Sequence, residues 1–219
     1  MINRIVDELA FRIKEANSWI ETSVGIVLPV KSKSKDGNDV IEPIYFNNER
    51  NYCNGADYIS LAPNSSKKAI SYFELNGNPT ATSYSSRGTI FTASVTCVVW
   101  FRHTAINIGM FDNDVLIASF LQGIPSRLPN VENQYFRVLI DFSDIEVNNG
   151  DVFKKYSYND QQQFTMYPYG YFAVKINIEY AIPKCVDFSL NGSDCHNPKV
   201  SPVVIGVTEI GDESKVIKL

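Results

Sequence analysis

The chain has 219 residues, of which 44% are hydrophobic and 20% are charged. A chain of this length and composition buries a substantial core, which excludes a disordered protein and favours a single domain. The formal net charge of −4 at pH 7 disfavours a dedicated nucleic-acid-binding protein, because neutralising phosphates requires clustered lysine and arginine.

The N-terminal segment predicts the clearest helix in the sequence. Its apolar residues recur in steps of three and four over Ile2–Ile20, which places them on one stripe of a helix. The residues of this stripe are Ile2, Ile5, Val6, Leu9, Ile13, Ala16 and Ile20. Charged residues occupy the other sides, so we expect the helix to lie on a core with a solvated back.

A lysine-rich segment follows the first predicted strand. The run VGIVLPV, Val24–Val30, predicts a strand that ends near Pro29. The next nine residues, KSKSKDGND, contain an Asp-Gly turn signal and predict an exposed loop or hairpin tip. The side chains of Lys31, Lys33 and Lys35 are more typical of a solvated tip than of a phosphate site.

The middle of the chain predicts several strands and one long loop. Short strand-like runs are VIEPIYF, DYISLAP and AISYFEL, and a longer alternating run, TIFTASVTCVVWFR, ends at Arg102. Between AISYFEL and TIFTASVTCVVWFR, the residues of Asn76–Gly88 are small and polar throughout. This composition predicts a long loop, which includes Arg87. Loops of this length in compact domains are usually functional or mobile.

A second helix and a further strand are predicted after residue 111. In DNDVLIASFLQGIP, Asp112 or Asp114 is a candidate N-cap and Gly123 is a candidate C′ residue, so both ends of a short helix are marked. The run YFRVLIDF, Tyr135–Phe142, predicts a strand. Residues 143–166 are a polar excursion that we expect to fold back as a hairpin or an irregular arm.

The run from Tyr171 to Ile182 alternates strictly and predicts a long strand. Six apolar residues fall on one face, namely Phe172, Val174, Ile176, Ile178, Tyr180 and Ile182. The other face carries Tyr171, Ala173, Lys175, Asn177 and Glu179, which predicts a strand with one solvent-exposed side. It is a natural partner for the long strand that ends at Arg102. Residues 184–219 form a looser C-terminal extension, in which VVIGVTEI is β-branched and suited to adding to a sheet edge of its own or of a neighbour.

Sequence motifs for catalysis are absent. The chain has no GxxxxGK[ST], GxGxxG, HExxH or GxSxG motif. His103 closes a predicted strand and is expected at the surface or rim. Cys185, Cys195 and His196 outline three ligands, but their spacing matches no established metal site. We therefore predict no enzyme, no cofactor and no metal.

Acidic residues and cysteines fit the same interpretation. The carboxylates of Asp141, Asp144 and Glu146 are explained by turns and solvated edges without a general acid and base. Four cysteines without CxxC spacing indicate reduced thiols in a cytosolic product. The N terminus has no apolar signal-peptide region, and the apolar runs are strand-sized, so neither secretion nor a membrane span is predicted.

Five tyrosines cluster between residues 156 and 171. They are Tyr156, Tyr158, Tyr167, Tyr169 and Tyr171. Aromatic side chains with a polar group are enriched at protein–protein interfaces, which makes this cluster a candidate interface. An exposed aromatic row also serves as a sugar platform, so a non-catalytic carbohydrate-binding or adhesin-type module is an alternative. In a third interpretation the tyrosines cover their own sheet.

The order of these elements resembles that of tail-terminator and head–tail connector proteins of tailed bacteriophages. The resemblance rests on the elements over Ile2–Ile20, Thr89–Arg102, Asp112–Leu121 and Tyr171–Ile182. The phrase DYISLAPNSSKKAISYFELNG is similar in style to ring proteins of crAss-like phages. The excursion at 143–166 and the tail after Pro183 are longer than a minimal terminator subunit needs.

The resemblance implies a fold and a function. The fold would be α+β, with residues 1–183 forming a domain in which an antiparallel or mixed sheet carries both helices on one face. The function would be that of a structural virion protein, made in the host cytoplasm, whose ring of six or twelve copies lies between portal and tail. Its partners would be further copies, the portal, other connector or tail proteins, and at most transient non-specific DNA contacts. The loops with Lys31, Lys33, Lys35 and Arg87 would face the channel or an adjoining ring.

Overall fold

The computed structural model describes residues 1–33, 37–46, 58–85, 88–109, 112–128, 138–158 and 161–183. These residues form one sheet-rich α+β domain with eight strands and three α-helices. None of these helices in the described ranges is long and apolar enough to cross a membrane. The helices are α1 (Ile2–Ala16), α2 (His103–Ile106) and α3 (Asn113–Gln122). The strands are β1 (Thr22–Lys33), β2 (Asp39–Phe46), β3 (Tyr58–Ser60), β4 (Ala69–Leu75), β5 (Thr80–Ser85), β6 (Gly88–Arg102), β7 (Val138–Val147) and β8 (Tyr169–Pro183).

The strands form one mixed sheet in the order β3-β2-β1-β4-β6-β8-β7, with β5 paired to β6 beyond the end of β4. Strands β1 and β4 run parallel, and the other neighbours run antiparallel. The α+β prediction with a mixed sheet is therefore confirmed. The predicted C-terminal extension at 184–219 lies outside the described residues and stays a prediction.

Strands β6 and β8 are the longest, and they pair along their whole length. Their register runs without interruption from Gly88↔Pro183 to Arg102↔Tyr169. Because directly paired residues point to the same face of a sheet, this register assigns the side of every residue on both strands. The predicted partnership of the two alternating runs is confirmed.

Helices α1 and α3 pack on one face of the sheet, as predicted. The apolar stripe of α1 and Phe120 of α3 cover the alternating apolar side chains of β6 and β8. The ring of Phe120 meets the ring of Phe172 edge-on at 5.2 Å. Buried strand residues in this layer include Val95, Cys97, Val99, Phe101, Phe172, Val174, Ile176 and Ile178. We call this side of the sheet the helix face.

The opposite face is covered at one end by an arm, which we define as residues 148–168. The arm is irregular, as predicted, with two 3₁₀ turns at Gly150–Phe153 and Gln163–Thr165. The predicted solvent-exposed side of β8 is wrong at this end, because Tyr171 and Ala173 are buried in a second core. The indole N–H of Trp100 donates to the carbonyl of Phe164 at 2.8 Å within this core. We call this side the arm face.

Two predicted boundaries near the N terminus are wrong. Helix α1 ends at Ala16, because Asn17 leaves the helical conformation and donates its side-chain amide to the carbonyl of Ile13. Strand β1 continues through Pro29, which lies opposite Pro43 of β2. The carbonyl of Pro43 accepts from Leu61 on the outer side of β2, so the two prolines form a pair that needs no cross-strand N–H.

Two predictions in the rest of the chain also need correction. The predicted loop at Asn76–Gly88 contains strand β5, whose small polar residues pair with the part of β6 that extends past β4. Strand β7 begins no later than Val138 and continues to Val147, five residues into the predicted polar excursion. A bulge between Phe142 and Asp144 lets the strand carry on past an irregular register. The helix at Asn113–Gln122 is confirmed, but Gly123 ends it in a right-handed conformation.

Replacing Phe120 by alanine tests the helix-face core. Phe120 is fully buried, so Phe120→Ala removes apolar contacts and leaves a cavity, and we expect the free energy of unfolding to fall by about 3–5 kcal/mol. Val115 lies on the same helix and is 69% exposed, so Val115→Ala is the matched control and is expected to change it by less than about 0.5 kcal/mol. Urea denaturation followed by circular dichroism measures both. Equal losses in the two variants would contradict this packing.

Candidate functional site

The lysine-rich segment forms the end of the β1–β2 hairpin. Lys31 and Lys33 both form ion pairs with Asp39, at 2.9 and 3.1 Å. Hydrogen bonds from these two lysines lower the pKa of the Asp39 carboxyl. All three side chains are exposed, so the hairpin end presents a small cluster of mixed charge. Lys35 and Arg87, the other candidate channel residues, lie outside the described residues.

The five candidate interface tyrosines do not form one surface row. Tyr156, Tyr158 and Tyr171 are buried in the arm-face core, Tyr169 is half-buried against Trp100, and Tyr167 is exposed. The interpretation that these tyrosines cover their own sheet therefore applies to most of the cluster. The exposed aromatic row on which the carbohydrate-binding alternative depends is not formed by these five residues. An interface role stays a prediction for Tyr167 and Tyr169.

Glu74 marks the boundary between the dry and the solvated part of the arm face. It is paired with Thr96, and Thr96 is paired with Lys175, so these three side chains form one row across β4, β6 and β8. The neighbouring row, Tyr72, Val98 and Ala173, is buried beneath the arm. The arm thus ends where the sheet changes from apolar to polar.

The Glu74 carboxylate is held by two residues of the arm. It is only 6% exposed, accepts a hydrogen bond from the hydroxyl of Tyr156 and forms an ion pair with the ammonium group of Lys155. A buried carboxylate is costly unless it is paired and hydrogen-bonded, and these two donors meet that requirement. The sequence run AISYFEL gave no sign of this role, because the partners of Glu74 lie about 80 residues away in the polar excursion.

Two clefts adjoin the Lys155–Glu74 pair. A cleft of about 350 Å³ lies between the arm and the polar sheet, and its lining includes Lys175 and Asp144. A cleft of about 450 Å³ lies where β1 separates from β4, and its lining includes Asp7 and Tyr45. Both clefts are lined by Glu74 and Lys155. Because the carboxylate already has two partners, neither cleft presents it as a free general base.

Asp7 connects helix α1 to the second of these clefts. Its carboxylate accepts a hydrogen bond from the hydroxyl of Tyr45 at 3.0 Å. A Cβ atom at Gly25 would lie 1.8 Å from the same carboxylate, so the absence of a side chain at residue 25 makes room for Asp7. Helix α1, β1 and β2 therefore meet at one close contact.

Burial suppresses ionisation of the tyrosines beneath the arm. It raises the pKa of Tyr72, Tyr156 and Tyr158, and the nearby Glu74 carboxylate raises the pKa of Tyr72 and Tyr156 further. The hydroxyls of Tyr72 and Tyr158 are buried and have no hydrogen-bond partner within the described part of the chain. These groups contribute apolar packing and do not form a proton relay.

The structure also places the other residues considered for chemistry. His103 was predicted at the surface and is instead buried, with its ring 5.0 Å from that of Phe101 and 6.0 Å from that of Tyr167. Cys185, Cys195 and His196 lie outside the described residues. Within the described ranges, no cluster of three or more His, Cys, Asp or Glu residues is placed to hold a metal.

The two terminal strands of the sheet carry exposed apolar side chains. At one end, Tyr58 and Ile59 of β3 are 55% and 40% exposed, and at the other end Phe142 and Val147 of β7 are 44% and 43% exposed. Neither patch was predicted from the sequence. The run DFSDIEV was the available signal for the second patch, because apolar and acidic residues are interspersed in it.

No protein-family model matches the chain, and the search of curated proteins gave no match.

Removing the Tyr156 hydroxyl tests the attachment of the arm. Tyr156→Phe leaves the buried Glu74 carboxylate with one partner fewer, and we expect the free energy of unfolding to fall by about 1–3 kcal/mol at pH 7. Tyr72→Phe removes a buried hydroxyl that has no partner among the described residues, so a change below about 0.5 kcal/mol is expected. Urea denaturation measures both, and amide hydrogen exchange should show faster exchange near Phe153 only in Tyr156→Phe. A larger loss in Tyr72→Phe would contradict the assignment.

The raised tyrosine pKa values predict lower stability at alkaline pH. A tyrosine with a pKa raised in the folded state contributes stability that is fully present below its unfolded pKa near 10 and is lost as the pH rises above it. Between pH 9 and pH 11, Tyr72→Phe should therefore lose about 1.4 kcal/mol less than the unmodified chain. Tyr84→Phe, in an exposed ring, is the control and should follow the unmodified chain. Identical pH dependence in Tyr72→Phe would refute the effect.

Proposed function

We propose that the protein is a structural virion subunit that forms a homo-oligomeric ring in the head–tail connector, neck or upper tail of a tailed bacteriophage. The ring would bridge portal and tail around the DNA channel. The observation that carries this proposal is that the sheet ends in two unlike strands, β3 and β7, each with exposed apolar side chains.

Unlike ends favour a ring over a simple dimer. A contact between the β3 end of one copy and the β7 end of the next joins two different surfaces, so each copy keeps one free surface for a further copy. Such contacts continue until the rotation closes them into a ring. In a subunit that stays monomeric, exposed apolar side chains on sheet edges promote aggregation. In a ring, they are buried against the neighbouring copies.

The remaining surface suits the same assembly. The β1–β2 hairpin ends in Lys31, Lys33 and Asp39, a small mixed-charge group that would meet the channel or an adjoining ring. With a formal net charge of −4, the chain would bind DNA at most weakly and without specificity. The arrangement of α1 and α3 on one face of a mixed sheet is the feature that we compare with tail-terminator subunits.

A pair of complementary variants tests the ring. Ile59→Asp and Phe142→Asp each place a charge at one end of the sheet, and each alone should convert rings to monomers because burying an unpaired charge is costly. An equimolar mixture of the two should give dimers and nothing larger, since only one intact contact can form between the two variants. Analytical ultracentrifugation measures the species, and electron microscopy should show rings of the unmodified chain.

The control for these variants is Phe11→Ser. Phe11 is an exposed apolar residue on α1, away from both terminal strands in the chain topology, and its replacement should leave the rings intact. Circular dichroism of each variant establishes that the fold is retained. An unmodified chain that stays monomeric at all concentrations, with or without purified portal, would refute the proposal.

A further inference from the structure

We propose that Lys67 closes the outer backbone edge of β3, so that the β3 end of one copy meets its neighbour through side chains and not through strand pairing. This inference rests on the proposed function, because it specifies the contact that the β3 end makes in the ring. An edge strand otherwise offers unpaired N–H and C=O groups to a second chain, and such pairing continues from chain to chain.

The backbone of β3 and of the two residues after it alternates between groups that face β2 and groups that face away. The N–H of Leu61 donates to the carbonyl of Pro43 on β2 at 2.8 Å, so the backbone groups of Leu61 face β2. In an antiparallel pair this direction alternates from one residue to the next. The backbone groups of Ser60 and Ala62 therefore face away from β2. The sheet order ends at β3, so within the described residues no strand pairs with this side.

Lys67 covers the two outward carbonyls. Its ammonium group donates to the carbonyl of Ser60 at 2.8 Å and to that of Ala62 at 2.7 Å. The N–H of Ala62 donates to the hydroxyl of Ser60 at 3.3 Å, so this outward donor is engaged as well. Hydrogen bonds from a charged donor are stronger than those between neutral groups, and an added strand would have to displace them. Proteins commonly use lysine on edge strands to prevent such pairing.

A turn folds Lys67 back beside β3. The side-chain oxygen of Asn64 accepts from the N–H groups of Ser66 and Lys67 at 3.0 and 3.2 Å. Asparagine favours turns of this kind, because its side chain takes the place of a backbone acceptor. The run NSSKK thus reverses the chain between β3 and β4, and the ammonium group of Lys67 reaches carbonyls that lie five and seven residues before it.

The surroundings of Lys67 suit a cation that is held in one place. The residue is half-buried, and burial lowers the pKa of its ammonium group, whereas the carboxylates of Glu42 and Glu21 act in the opposite direction. The carboxylate of Glu42 also accepts from the hydroxyl of Ser60 at 3.1 Å. Two carbonyls and two nearby carboxylates offset the cost of taking the charge out of water.

With its carbonyls covered, β3 offers side chains to the adjacent copy. Tyr58 and Ile59 are exposed, and the ring of Tyr58 meets the ring of Phe46 edge-on at 5.0 Å, which supports it from behind. Side-chain contacts accommodate the rotation that closes a ring, whereas main-chain pairing imposes the geometry of a continuous sheet. Lys67 thus favours closed rings over open-ended sheets.

Replacing Lys67 by methionine tests the inference, with the adjacent Lys68 as the control. Lys67→Met removes the donors and leaves both carbonyls available to a second chain. We expect open filaments that bind thioflavin T in place of rings, with onset at a concentration about tenfold lower than for the unmodified chain, because the edge gains two acceptors. The side chain of Lys68 has no partner within the described part of the chain, so Lys68→Met should behave as the unmodified chain.

A proline separates strand pairing from a general loss of structure. The N–H of Ser60 faces away from β2, so Ser60→Pro keeps the pairing with β2 and blocks an incoming strand. Added to Lys67→Met, it should abolish thioflavin T binding and restore the species of the unmodified chain, as seen by electron microscopy. If Lys67→Met acted only by loosening β3, the added proline would instead increase association, and this result would overturn the inference.

NMR of the lysine ammonium groups tests the contact without changing Lys67. In the Phe142→Asp variant, which is expected to be monomeric, the ammonium protons of Lys67 should exchange with water about tenfold more slowly than those of Lys68, because only Lys67 donates to carbonyls. The pKa of Lys67 should also lie below its ordinary value of 10.5. Equal exchange by the two groups would overturn the inference, even where Lys67→Met fails to fold.

Ultracentrifugation separates this inference from the proposed function. Rings that persist unchanged in Lys67→Met would overturn the role of Lys67 and leave the ring standing. An unmodified chain that stays monomeric would refute the ring, and the inference then requires that Lys67→Met associates while Lys68→Met does not. Rings in the unmodified chain and in Lys68→Met, together with filaments in Lys67→Met, would support it.

Discussion

The continuous pairing of β6 with β8 is the constraint on which the rest of the domain depends. Because the register holds over 15 residues, every side chain on both strands has an assigned face, and a shift by one residue would exchange the core and solvent sides. The helices pack against the apolar side chains of one face. The arm covers the other face only as far as the apolar residues extend.

The boundary of the arm is set by electrostatics as well as by apolar packing. Beneath the arm, Trp100 and Tyr171 bury large aromatic surfaces, and this burial stabilises the contact between the arm and the sheet. At its edge, Glu74 requires partners from the arm and thereby fixes Lys155 and Tyr156 against the sheet. A carboxylate at this position holds the arm in one place, because moving the arm away would leave a buried charge with fewer partners.

The periodic elements were predictable from the sequence, and the irregular ones were not. Alternation over Thr89–Arg102 and Tyr171–Ile182 identified β6 and β8, and steps of three and four identified α1, because burial on one side imposes those periods. The arm has no period, so the sequence alone did not decide that four of its aromatic residues are buried. They are Phe153, Tyr156, Tyr158 and Phe164.

Other errors have the same origin in long-range contacts. Strand β5 forms because β6 extends past the end of β4, and the edge of that extension pairs with a polar segment. The composition of the polar segment alone does not predict this pairing. The candidate site at Glu74 joins residues far apart in sequence, and the exposed patch on β7 depends on a bulge. The lysine-rich hairpin end was predicted from its own residues, whereas the exposed apolar side chains of β3 and β7 were not.

The close approach of Asp7 to Gly25 has a consequence for tracing the ancestry of this chain. A side chain at residue 25 would occupy the space of the Asp7 carboxylate, and that carboxylate in turn holds the hydroxyl of Tyr45. Substitution at one of the three positions therefore requires compensation at the others. Divergent relatives should show these three positions changing together, and such covariation would reveal a shared fold where overall sequence similarity has faded.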